Sequence, residues 1–251
     1  MPKGIWIISL EVIPLNLEPF IFDCEVFAYD WLFVFKNKVT GEYTEIWNDN
    51  EAVEQFMTQE PLLAGFNNKH YDQFILKAVL SGFTPEEIKA VNDFIIVGGH
   101  EGWEYAPLRD CGIFFDQYDL MDDCQMGLSL KAIEAHLGMD IRETTVSFNI
   151  NRPLTEDEKR EVEFYCRHDV DATDRLDNLR QGYLSSKLTL GREKGLYPAK
   201  ALYMTNAKLT AAYLDAQQKP HYDEREYQYP PKLLRQYIPQ EVFDFFERLK
   251  D

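Results

Sequence analysis

The sequence predicts an α/β protein: a mixed β-sheet whose first three strands run antiparallel, flanked by helices. Three observations predict it. Three aromatic and β-branched runs, Phe20 to Val26, Trp31 to Phe35 and Tyr43 to Trp47, follow one another with short polar breaks, the pattern of an antiparallel meander. Beyond them, segments of helical spacing alternate with a further apolar run, Pro61 to Phe66. The chain has 251 residues, 45% of them hydrophobic, with 17 Phe, 14 Tyr and 4 Trp, which is enough to bury a sizeable core and argues against intrinsic disorder.

Each element has a local reason. Asn48 to Gln59 carries Val53, Phe56 and Met57 at helical spacing after an Asn/Asp cap. Tyr71 to Leu80 and Thr84 to Val97 read as helices, the second opened by Thr84 and Glu87 at capping-box spacing. Gly98 to Asp110 is polar and aperiodic and reads as a loop, with Cys111 to Tyr118 as the last strand. Leu128 to Leu137 is an amphipathic helix closed by Gly138. Thr155 and Glu158 form a second capping box that opens a long helix to about Leu179, and Pro198 to Gln217 reads as one more helix. Tyr222 to Pro231 reads as an exposed connection before a short last helix, Pro239 to Lys250. The expected organisation is an extension at 1–19, a domain at 20–180 and a helical segment at 181–251.

The formal net charge is −17, of which −15 falls in residues 1–125, and that sign disfavours non-specific phosphate binding. Residues 178–219 are locally basic, with seven Lys and Arg against Glu193 and Asp215. Four cysteines without a CxxC pair signal neither a zinc site nor a disulfide framework, and reduced thiols in a cytoplasmic protein are the simple reading. Ile5 to Leu15 is interrupted by Ser9, Glu11 and Pro14, so neither a membrane span nor a signal peptide is expected.

Acids and one tyrosine stand at separate places in this map. Asp23 and Glu25 are two apart on a predicted strand and share a face, with Cys24 on the other. Two acids there imply either a cation-binding face or an edge strand with its acids in water. Asp72 follows Gly65-Phe-Asn-Asn-Lys-His-Tyr71 at a helix start, where an ordinary N-terminal acid is the alternative. Tyr165 and Asp169 stack at i, i+4 in the long helix.

Taken in order, Asp-x-Glu on a first strand, Gly-Phe-Asn…Tyr-Asp after a later strand and Tyr-x-x-x-Asp on a late helix resemble the three exonuclease motifs of the DEDD superfamily. Tyr165 is similar to the DEDDy branch; the histidine branch would need His where Phe164 stands. The resemblance covers about residues 20–180, and Leu128 to Ile133 is similar to the helix between the second and third motifs of polymerase proofreading domains. Residues 201–210 look like the link that leads into the polymerase part of phage-type enzymes. The resemblance implies a ribonuclease H-like fold and a 3′-to-5′ exonuclease on single-stranded or frayed DNA 3′ ends, partnered by a DNA polymerase domain or subunit in a bacterial or phage-infected host cytoplasm, with no membrane partner. An exoribonuclease of the same branch and a non-catalytic nucleic-acid-binding or docking module are the alternatives.

The implied cofactors are two divalent ions, Mg²⁺ or Mn²⁺, hard cations that take oxygen ligands. By the resemblance, Asp23 bridges both, Glu25 and Asp169 hold the nucleophile-side ion, Asp72 acts on the other mainly through water, and Tyr165 orients the attacking water. Asn67 or Asn68 hydrogen-bonds the terminal nucleotide. Phe27 and Phe66 are candidates to stack on or wedge bases, with core packing as the alternative. Asp116, Asp119, Asp122 and Asp123 either ring the metal site or form a solvated loop.

Overall fold

The computed structural model describes residues 18–122, 124, 128–216 and 239–248. The expected Tyr222–Pro231 connection, Asp123 and nearly all of the expected N-terminal extension lie outside them. Five strands form one sheet in the order β3-β2-β1-β4-β5: β1 Phe20–Val26, β2 Trp31–Asn37, β3 Tyr43–Trp47, β4 Leu63–Gly65 and β5 Gln117–Asp119. β2 pairs antiparallel with both β1 and β3, while β4 runs parallel to β1 and to β5. The sheet is therefore mixed, and β1 is a central strand with partners on both sides. Its pairing with β4 is confined to Phe20 and Ile21; burial removes the alternative of acids in water, since Glu25 is buried and Asp23 half-buried.

The helices are α1 Asn50–Met57, α2 Asp72–Leu80, α3 Pro85–Ile96, α4 Ala106–Arg109, α5 Leu130–His136, α6 Glu156–Leu179, α7 Gln181–Glu193, α8 Pro198–Tyr203, α9 Asn206–Tyr213 and α10 Gln240–Glu247. Both expected capping boxes form, at Thr84 with Glu87 and at Thr155 with Glu158. Alternation along β1 divides the core in two. Phe22, Cys24 and Val26 join a cluster with α1, α2 and α3, whereas Ile21 and Phe27 join one with Ile133 of α5 and Val162, Cys166 and Val170 of α6. Asp23 and Glu25 thus face α6.

Three expectations change. The stretch expected to be a loop at 98–110 contains a 3-10 turn, Gly102–Glu104, and the short α4. The last strand is confined to Gln117–Asp119, because its partner β4 offers only three residues to pair with. The helix expected at 198–217 breaks at Met204 and Thr205, where the Thr205 hydroxyl caps a separate α9. Helix α7 lies in the segment expected to be helical, at a place where the sequence pattern marks out no separate helix. Gly191 permits it to pack closely, since a Cβ there would lie 2.4 Å from Ala201 Cβ of α8.

The described residues fall into two compact units, those up to Leu214 and those from Asp215 onward. Leu184 of α7 and Leu202 of α8 belong to the second core cluster. In the second unit α10 is described on its own.

Helix α6 is fixed at both ends. Near its start, buried Asp30 accepts hydrogen bonds from Leu154 N and Asn48 Nδ2, each 2.7 Å, and pairs with Lys159 at 3.3 Å. Toward its end, Lys36 of β2 pairs with Asp171 (2.8 Å) and Asp174 (2.7 Å), and Lys38 pairs with Asp174 (3.1 Å) and with buried Asp177, which also accepts from Tyr118 Oη at 2.8 Å.

Candidate metal-binding acid cluster

The middle of α6 presents Cys166 and Asp169 to the Asp23 and Glu25 side of β1. One ligand atom each from Asp23, Glu25 and Cys166 lie within 4.8 Å of one another. Cys166 Sγ donates to Asp23 Oδ2 at 3.6 Å. Asp72 enters from the other layer as the first residue of α2, and Cys24 Sγ donates to its Oδ1 at 3.1 Å. Asp72 is only 3% exposed, which does not suit an ordinary solvated N-terminal acid. Tyr165 lies half-buried one turn before Asp169, and the ammonium of Lys131, which ion-pairs with Asp169, stands 4.9 Å from the centre of its ring.

Crowded carboxylates raise one another's pKa values. Asp23 is pushed well up by burial and then by the charges of Asp72, Glu25 and Asp169; Glu25 is pushed up by burial, then Asp169 and Asp72, with Lys131 opposing. Burial pushes Asp72 up to about 6 against the hydrogen bond from Cys24. Burial and then the neighbouring acids also push the Cys24 and Cys166 thiols up, so both act as donors to carboxylates rather than as nucleophiles.

A divalent ion fits this donor set. Asp23 and Glu25 offer hard oxygen donors within reach of one another, beside the Cys166 thiol; Asp169 and Asp72 add charge to that pair, and like charges held this close in a buried site favour a cation. Glu25 opens onto a cleft of about 650 Å³ lined also by Tyr71, Asn92 and Phe148; Tyr165 lines a separate groove with Arg142 and Phe164.

The site has a stability signature. A carboxyl whose folded pKa exceeds its unfolded value contributes stability that is full below the unfolded pKa and lost as pH rises through the folded one. For Asp72 that window runs from the ordinary carboxylate range to about 6, with Asp23 and Glu25 acting in the same direction. Glu158, held down to about 2 by Arg152 and Thr155, acts with the opposite sign but below this window. Chelated protein should therefore melt at higher temperature near pH 5 than near pH 7.5, and Mn²⁺ should stabilise most at the upper end. A chelated melting temperature that rises across this interval refutes the clustering of charge.

The proposed substrate contacts fare unevenly. Phe27 has no exposed surface and stacks on Phe148 at 5.1 Å, so it is core and cannot meet a base. Asn68 is likewise sealed: its Nδ2 donates to Gln117 Oε1 at 2.8 Å, and Gln117 donates in turn to Gln73 at 2.9 Å. Gly65 makes room for it, since a Cβ would lie 2.8 Å from Asn68 Cβ. Asn67 and Phe66 remain half-buried, Asn67 with a left-handed φ of 64° that Asn tolerates.

Three roles emerge only from the fold. Asp119 is no solvated loop acid: it is buried and accepts Asn67 N (2.9 Å), Lys69 N (3.0 Å) and Met121 N (2.8 Å), pinning the loop that leads to Asp72. Asp122 pairs with Lys69 and Asp116 with Tyr197, so neither rings the cluster. Lys131 and buried Glu134 lie on α5 behind Asp169, and their i, i+3 spacing was the available signal. Among the described residues no helix is long and apolar enough to cross a membrane. No family model, curated protein or solved structure matches the chain.

Proposed function

We propose that this chain is a metal-dependent 3′-to-5′ exonuclease of the DEDDy kind with a ribonuclease H-like fold, acting on single-stranded or frayed DNA ends as the proofreading domain of a phage-type DNA polymerase. One observation carries the reading: the Asp-x-Glu pair lies on the central strand and faces the Tyr-x-x-x-Asp pair of α6, with Asp72 charge-coupled to Asp23 and Glu25 and Asp169 to the same two acids. A mixed sheet with three antiparallel leading strands and helices on both faces supports the same reading.

Two ions, Mg²⁺ or Mn²⁺, held by Asp23, Glu25, Asp169 and Asp72, would supply a more acidic water and charge relief at the leaving 3′ oxygen. The chain supplies position. Tyr165 is pushed up by burial and then by Asp169 and Glu25, so its hydroxyl keeps its proton and orients water rather than abstracting from it. Cys24 and Cys166 hold the Asp72 and Asp23 carboxylates in place. Tyr165→Phe should lower kcat by roughly 10–100-fold with little change in KM, a split that single-turnover kinetics checks; an unchanged kcat removes the hydroxyl from the mechanism.

The deciding experiment incubates the purified chain with a 3′-labelled single strand and Mg²⁺ or Mn²⁺. Stepwise nucleotide release is expected, and an intact strand with either ion refutes the proposal. Preference for an RNA strand of the same sequence would reassign the substrate, since the 2′-hydroxyl distinguishes the two.

A further inference from the structure

Lys131 stands where two carboxylates can claim it. Its ammonium pairs with Asp169 Oδ1 across the gap between α5 and α6, and it lies 3.3 Å from Glu134 Oε1 on its own helix. The Glu134 side chain is fully buried and its Oε2 has no hydrogen-bond partner. His168 Nε2 lies 4.0 Å from Glu134 Oε1 and also lacks a hydrogen-bond partner. A buried carboxylate oxygen left without a donor is costly, so Glu134 is an acceptor with spare capacity beside a cation. An ammonium and a divalent ion drawing on the same Asp169 oxygen would repel one another at close range.

We propose that Lys131 is a mobile counter-ion of the acid cluster, exchanged between Asp169 and Glu134. The proposal rests on the reading of Asp169 as a metal ligand. An ion that takes Asp169 drives the ammonium toward Glu134, where Oε2 receives it. Glu134 is then a positioning residue: it touches neither ion nor substrate, and it sets how readily the cluster gives up its lysine.

The test is calorimetric titration of the full chain, stripped with a chelator, using Mn²⁺ alone. Relative to wild type, Lys131→Met should bind Mn²⁺ about tenfold more tightly, Glu134→Gln about fivefold more weakly, and the double variant should match Lys131→Met within about twofold. Thermal melts of the chelated proteins establish that each is folded, and Lys131→Gln, expected to shift affinity in the same direction, replaces Lys131→Met if the latter does not fold. Unchanged or weaker binding in the Lys131 variants overturns the proposal. A Glu134→Gln loss that persists in the double variant also overturns it, because Glu134 would then act on the ion by its charge alone. A wild type that binds no Mn²⁺ overturns the metal-site reading itself, whereas a wild type that binds Mn²⁺ with variants that break the pattern overturns only the exchange.

Discussion

Asp23→Asn is expected to abolish Mn²⁺-dependent nucleotide release, a loss of roughly a thousandfold or more, which corresponds to about 4 kcal/mol of transition-state stabilisation. The same variant should melt at a higher temperature than wild type once both are chelated. Asn is nearly isosteric and can still accept from Cys166 Sγ, so the packing survives while one of the mutually repelling charges is gone. Each kcal/mol of relief is worth about 2–4 °C in a chain of this size. The two readouts must move in opposite directions, because function requires charges that folding alone would remove. A variant that keeps activity, or that loses stability in chelator, would show that Asp23 is a packing residue.

Asp119→Ala is expected to cost about 2–4 kcal/mol of stability, read by chemical denaturation, because three backbone N–H groups of a half-buried loop lose their buried acceptor. Its second effect falls on the site. With Asn67 N and Lys69 N released, the segment leading to Asp72 loses its anchor, so amide exchange across residues 66–71 should accelerate and Mn²⁺ affinity should fall. Asp119→Asn, which retains one acceptor oxygen, should be milder on all three counts. A cost under about 0.5 kcal/mol would place Asp119 among ordinary surface acids.

The contrast between Asp23 and Asp119 explains which side chains are legible in the sequence. Period-two alternation puts Asp23 and Glu25 on one face of an apolar strand, and the i, i+4 interval joins Tyr165 to Asp169, so these side chains are legible from neighbours in the chain. Asp119 is obscured by the acids around it, since the run from Asp116 to Asp123 has the composition of a solvated loop, and only the fold shows which of them turns inward. Lys131 is a lysine near a helix start until α5 packs beside α6. Phe27 and Asn68 fail as substrate contacts for a related reason: adjacency to a motif says nothing of depth, and both side chains fill space beneath the site. Helix α7 escapes because Gly182, Gly191 and a run of polar residues blur its periodicity, although Leu184 still reaches the core.

The fastening of α6 at both ends carries a consequence for how this chain can vary. Asp169 and the anchors Asp171, Asp174 and Asp177 share one helix, and each residue added to a helix rotates the remainder of that helix by about 100°. A single insertion or deletion between Asp169 and Asp171 would leave either the acid cluster or the lysine ladder pointing the wrong way. Helix α6 therefore works as a vernier: its exposed side chains are open to substitution, but its residue count is not.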